Sequence, residues 1–145
     1  MSLDGYFIED LSEGMTAVFG KTITDADILM FAGVSGDTNP VHLNEEFALG
    51  TAFLGRIAHG MLTASLISTV LGTKLPGPGC IYLSQNLKFL APVRAGDTVR
   101  AEATIRSIDR DKRRVVFDTA CKVGSKVVLQ GEAVTMVPRR PVPAA

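Results

Sequence analysis

Cysteine is scarce in this chain, and the two present, Cys80 and Cys121, fit neither a metal-ligand spacing nor a disulfide framework. Both fall in strand-like segments, where a free cysteine packs as a small buried hydrophobe. Neither sign of charge is in excess. Fifteen basic residues balance fifteen acidic ones, so the electrostatic footprint of a nucleic-acid binder is missing. No phosphate loop of the form G-x-x-x-x-G-K-[ST] or G-x-G-x-x-G occurs, and no H-E-x-x-H metal motif. Long hydrophobic runs are missing too. The charge-free stretch between Arg56 and Lys74 is shorter than the ~20 apolar residues of a membrane span, and it holds His59, Thr63, Ser65, Ser68 and Thr69. A buried helix is the expectation there. The first ten residues carry acids and lack the basic start of a signal peptide, which points to a cytoplasmic protein. There is no internal repeat and no linker.

What the chain does have is apolar content: 46% of its 145 residues are hydrophobic, and the mean hydropathy is +0.24. That length suits one domain burying roughly two-thirds of its unfolded surface. Such richness in a small domain is explained if part of the apolar surface is covered by a second copy.

The hydrophobic period divides the chain in two. Gly14 to Ile23 alternates and reads as a strand. Thr24 is a good N-cap, with Asp25 and Asp27 in the favoured first turn, and Ile28, Phe31, Ala32 and Ser35 follow at helical spacing until Gly36. Asp37-Thr-Asn39-Pro40 has turn chemistry, because Asn before Pro is pushed out of the helical region. Glu45 to Leu49 suits one further helical turn. His59 to Leu71 is apolar nearly all round, as a helix in the middle of a fold would be, and Leu75-Pro-Gly-Pro-Gly79 stops it.

Beyond that point the period becomes two. Ile81, Leu83, Leu87 and Phe89 share one face of a strand ending at Ala91-Pro92. Val99 to Ile105 alternates with charged residues, Asp109 to Lys112 is a charged turn, and Val115 to Val123 makes the next strand. Gly124-Ser125 marks a hairpin into Val127 to Val137. One buried helix followed by an antiparallel meander implies an α+β fold, a sheet wrapped around that helix. Its open edge calls for cover by a second subunit. The domain is expected over residues 1–138, with residues 139–145 a loose Pro-rich tail.

The chemistry concentrates in Ser35-Gly-Asp-Thr-Asn-Pro-Val-His42 and, seventeen residues on, His59-Gly60. Asp37 alone could cap a turn, and His42 alone could be an ordinary hydrogen-bonded histidine. Together they differ: Pro40 fixes the backbone between them, so the loop aims an acid and an imidazole at one point at low entropic cost. Adding or removing water requires one proton acceptor and one donor near neutral pH, which this pair supplies. Asn39 either orients the pair or only forms the turn. Gly60 opens the central helix, whose unpaired N–H groups suit a developing oxyanion. It reads equally as a tight loop-to-helix junction. Ser65 either contacts the reacting groups or packs as a small residue against the sheet. His59 suits a supporting role better than that of a base. A metal bound by His42, His59, Glu45 and Glu46 lacks any ligand spacing, so none is expected.

Phe31-Ala-Gly-Val-Ser-Gly-Asp-Thr-Asn-Pro-Val-His-Leu-Asn44 and Arg56-Ile-Ala-His-Gly-Met-Leu-Thr-Ala-Ser65 resemble the MaoC-type hot dog-fold dehydratases, above all the (R)-specific enoyl-CoA hydratases. Leu75-Pro-Gly-Pro-Gly79 and Ala91-Pro-Val-Arg-Ala-Gly-Asp97 extend the likeness through most of the chain. The resemblance implies a homodimer whose sheets join edge to edge around two long helices. It also implies that Asp37 and His42 match the catalytic pair, Gly60 the N–H that binds the thioester oxygen, and Ser65 the serine near the pair. The activity implied is reversible hydration of a trans-2-enoyl-CoA to an (R)-3-hydroxyacyl-CoA, with no cofactor, no metal and no nucleic-acid or membrane partner. The alternatives are a hot dog acyl-CoA thioesterase and a non-catalytic acyl-thioester binding domain. Acyl length, and coenzyme A against acyl carrier protein, are not legible in the residues.

Overall fold

The structure is a computed structural model that describes residues 4–144; Met1, Ser2, Leu3 and Ala145, which belong to the expected domain and tail, lie outside it. A strand β1 (Thr16–Thr22) leads into helix α1 (Asp25–Ser35). The helix starts where the sequence says it should. Thr24 accepts the Asp27 N–H and Asp27 accepts the Thr24 N–H, a reciprocal cap that satisfies two otherwise orphaned donors. It ends at Gly36, which takes φ 77°, a left-handed conformation that costs glycine nothing. Two short helices follow, α2 (Pro40–Leu43) and α3 (Glu45–Leu49), and then the long α4 (Gly60–Thr73).

The second half is antiparallel: β2 (Ile81–Gln85), β3 (Lys88–Phe89), β4 (Thr98–Asp109), β5 (Arg114–Val123) and β6 (Lys126–Met136). Together with β1 they form a six-stranded sheet in the order β1-β4-β5-β6-β2, with β3 also pairing to β6. One face carries Val99, Ala101, Ala103, Ile105, Val115, Phe117, Cys121, Leu129 and Ala133, all buried. Against that face lies α4, contributing Leu62, Leu66, Ile67, Val70 and Leu71. Ile67 is 0% exposed, so truncating it to alanine would cost roughly 2–5 kcal/mol. This is the α+β, sheet-around-helix arrangement expected from the change of period.

Three expectations need correction. The strand over Ile81 to Phe89 is two strands, because Asn86 turns aside to exchange hydrogen bonds with Glu132, and a register shift already interrupts β2 between Tyr82 and Ser84. Helix α4 is not buried all round: Met61, Ser65, Ser68 and Gly72 form an exposed stripe along one side. Cys80 lies just before β2 and is half-buried, whereas Cys121 is fully buried in β5. Burial pushes the Cys121 thiol up to about 12, and the Cys80 thiol up as well. No helix among the described residues is long and apolar enough to cross a membrane.

Candidate active site

The loop after α1 is built from its own side chains. Ser35 Oγ donates to the Phe31 carbonyl and accepts the Asp37 N–H at 3.1 Å. Asp37 Oδ1 accepts the Asn39 N–H at 3.2 Å, and Asn39 Oδ1 accepts the Val41 N–H at 3.1 Å, starting α2 at Pro40. The Asn39 side chain thus forms the turn, while its backbone N–H, which any residue but proline would supply, bonds the Asp37 carboxylate.

His42 sits on α2 with its side chain 9% exposed, against 51% for Asp37. Its Nδ1 lies 2.8 Å from the Ile57 carbonyl oxygen. A carbonyl only accepts, so Nδ1 carries a hydrogen, and in the neutral form of the ring Nε2 is the bare nitrogen. That bare nitrogen faces Asp37 Oδ2 at 4.0 Å. The gap is too long for a direct hydrogen bond, but one water about 2.8 Å from each atom spans it. Arg56 pins α2 in place, donating from Nε to the His42 carbonyl at 2.7 Å and from Nη2 to Asp25 at 2.5 Å.

The start of α4 closes the site. The His59 ring stacks on His42 with centroids 3.8 Å apart, and its Nε2 lies 2.9 Å from the Asp37 carbonyl oxygen. His59 occupies the N-cap position yet makes no capping bond. Among the described residues nothing accepts from the Gly60 or Met61 N–H. These free donors, at the positive end of a 14-residue helix, open on a cavity of about 480 Å³ whose walls include Asp37, His59, Gly60, Thr63 and Phe89. A Cβ at position 60 would stand 2.6 Å from Phe89 Cε1, so any side chain there would have to displace that ring.

Asp37, His42, His59 and Gly60 thus converge. Ser65 does not join them within one chain: its Oγ donates to the Leu62 carbonyl at 2.6 Å, and it lines an adjacent apolar cavity with Phe31, Met61, Ser68, Tyr82 and Leu83. Met61 borders both spaces. Asp37, His42 and His59 present possible metal-ligand atoms within 4.8 Å of one another, whereas Glu45, weighed for such a site, faces the Arg56 N–H. The two imidazole planes are stacked 28° apart, so their in-plane lone pairs run alongside each other rather than converging on a common ion.

Sequence reasoning missed several contributors. Ile57 acts through its carbonyl, which no side-chain pattern signals. Phe31, which helical spacing places on a face of α1, packs 4.8 Å from His59. The contact of Phe89 with Gly60 joins elements far apart in sequence. Arg94 steadies the loop before α4 through the Phe53 and Arg56 carbonyls.

Comparison with known proteins bears on the family and the fold. The family described as MaoC like domain matches residues 10–128. The chain is 56% identical to an (R)-specific enoyl-CoA hydratase of Rhodospirillum rubrum over 93% of its length and 94% of that protein. It is 48% identical to a 3-hydroxybutyryl-CoA dehydratase of Methylorubrum extorquens over 92% of this chain and 85% of the relative. Among solved structures, an unliganded R-hydratase from Pseudomonas aeruginosa superposes with a TM-score of 0.88 at 39% identity, covering 97% of this chain and 96% of that one. An (R)-hydratase from A. caviae involved in PHA biosynthesis gives 0.86 at 42% identity over 90% and 99%. A six-stranded antiparallel sheet around α4, a family match across most of the chain and these neighbours lead to one conclusion: the chain belongs to the MaoC-like family of hot dog-fold dehydratases.

Proposed function

We propose that this chain is an (R)-specific enoyl-CoA hydratase, a hydro-lyase that reversibly adds water to a trans-2-enoyl-CoA. The observation that carries the reading is the bare Nε2 of His42 facing Asp37 Oδ2 across 4.0 Å, beside the free N–H groups of α4. A water in that gap donates one hydrogen to each group. His42 Nε2 takes a proton as the water oxygen attacks C3. The C2=C3 π electrons move toward the thioester, and the enolate-like oxygen is stabilised by the Gly60 N–H and the helix dipole. A proton then returns to C2 from the pair, with Asp37 as relay, so the elements of water add across the bond.

The same reading assigns a homodimer. Strand β2 is an edge strand whose residues Ile81, Tyr82, Leu83 and Ser84 are all exposed, and Met61, 58% exposed, lines one cavity with Tyr82 and Leu83. Pairing two β2 edges would satisfy their open backbone groups and cover this apolar surface. Ser65 lies within that surface, so its contact with an acyl group would be made in the dimer. We assign residues 1–138 to the domain and the protein to the cytoplasm; of the tail expected to be loose over 139–145, Arg139 and Arg140 are bonded to the Asp111 carbonyl and to the Glu9 and Asp10 carboxylates.

Purified protein should consume crotonyl-CoA, followed by loss of the enoyl thioester absorbance, without releasing free thiol. Thiol release would mean a thioesterase; binding without turnover would mean an acyl-thioester binding domain.

A further inference from the structure

His59 is 2% exposed and is not spent on the task its position invites. A side chain at a helix N-cap ordinarily accepts an amide of the first turn, and His59 accepts none. Instead its Nε2 reaches back 2.9 Å to the carbonyl oxygen of Asp37. Because that oxygen only accepts, Nε2 holds the hydrogen, and Nδ1 is bare, buried and without a partner. The bond joins the main chain of Asp37 to the residue preceding Gly60. Half-exposed Asp37 needs such an anchor, since otherwise its own main chain is held only by Ser35 Oγ. Meanwhile the same ring packs between His42 at 3.8 Å and Phe31 at 4.8 Å.

We propose that His59 is a positioning residue for hydration: its Nε2–H fixes the Asp37 carbonyl to the start of α4, and so holds the Asp37 carboxylate, His42 Nε2 and the Gly60 N–H in one frame. This rests on the reading of Asp37 and His42 as the proton-transfer pair. The water slot between them is one molecule wide, and a misplacement of about 1 Å costs on the order of 100-fold in rate. The donor, rather than the ring, carries the role.

Three variants separate donor from ring. His59→Phe keeps an aromatic ring to stack on His42 but has no donor. His59→Gln places an amide nitrogen near the original Nε2, and His59→Asn places one near Nδ1. With crotonyl-CoA as the probe, His59→Phe and His59→Asn should lower kcat about 10–100-fold with KM within about twofold of wild type, and His59→Gln should recover most of the loss. A His59→Phe protein with wild-type kcat overturns the proposal, as does a His59→Gln protein no better than His59→Asn at equal melting temperature. If His59→Phe does not fold, the Gln against Asn comparison decides. Full turnover in Asp37→Asn or His42→Ala would instead remove the underlying pair. Inactivity of those two beside a fully active His59→Phe would remove only the role given to His59.

Discussion

His42 Nδ1 stands 2.8 Å from the carbonyl oxygen of Ile57, and this contact, made outside the Asp37 loop, selects the nitrogen that faces the acid. A histidine free to take either tautomer would present a hydrogen to Asp37 part of the time and could close the water slot with a direct hydrogen bond. Held as it is, the ring offers a lone pair. His42→Ala and Asp37→Asn should therefore each lower kcat by about 10²–10⁴ in protein that remains folded. Steady-state kinetics on crotonyl-CoA checks this, and near-wild-type turnover in either variant would contradict the assignment.

Gly60 and Phe89 make the second relationship that matters for the site. A methyl at position 60 would meet the ring at 2.6 Å, but Phe89 is 54% exposed and has room to swing away. Gly60→Ala should thus fold with little loss of stability. It should still lose at least about tenfold in kcat/KM, or about 1.4 kcal/mol, because the methyl occupies space the thioester needs. Removing the ring as well, in Gly60→Ala with Phe89→Ala, should leave most of that loss in place. Full recovery in the double variant would show that the displaced ring, and not the methyl, obstructs the site.

The β2 edge predicts an assembly effect. Leu83→Asp puts a charge at a position 43% exposed in one chain and buried when two edges pair. Sedimentation should show a dimer for wild type and a smaller species for the variant. A wild-type monomer would refute the edge-to-edge arrangement.

A pH effect on stability is expected at the start of α1. The Lys21 ammonium, 2.9 Å from Asp27 Oδ2, and the Thr24 N–H hold the Asp27 carboxyl below the usual carboxylate range. With the folded value below the unfolded one, the contribution is complete above the unfolded pKa of about 4 and is lost as pH falls through the folded value. Asp27→Asn should lower stability at pH 7 by no more than about 1 kcal/mol, the contact being near the surface. The difference from wild type should shrink as pH falls from about 5 to about 2. Melting curves across that range test it; a difference that grows toward acid would contradict it.

Much of this protein is written locally. Thr24, Asp27 and Gly36 fix the limits of α1 by capping and left-handed geometry, and Asn39-Pro40 sets the turn that carries Asp37 and His42. These signals lie within a few residues of what they determine. The break between β2 and β3 was not legible, because it depends on Asn86 meeting Glu132, 46 residues away. The exposed stripe of α4 was hidden for another reason: Met61, Ser65 and Ser68 look like core or filler until the sheet covers one side of the helix and leaves the other bare. In the site, side-chain chemistry could be read but backbone partners could not. Nothing in the type of residue 57 announces that its carbonyl sets the His42 tautomer.

Chiral analysis of the product formed from crotonyl-CoA tests the central claim most directly. The account predicts (R)-3-hydroxybutyryl-CoA, produced by wild type and lost in His42→Ala. An (S) product, a racemic mixture, or (R) product at an undiminished rate in His42→Ala would contradict it.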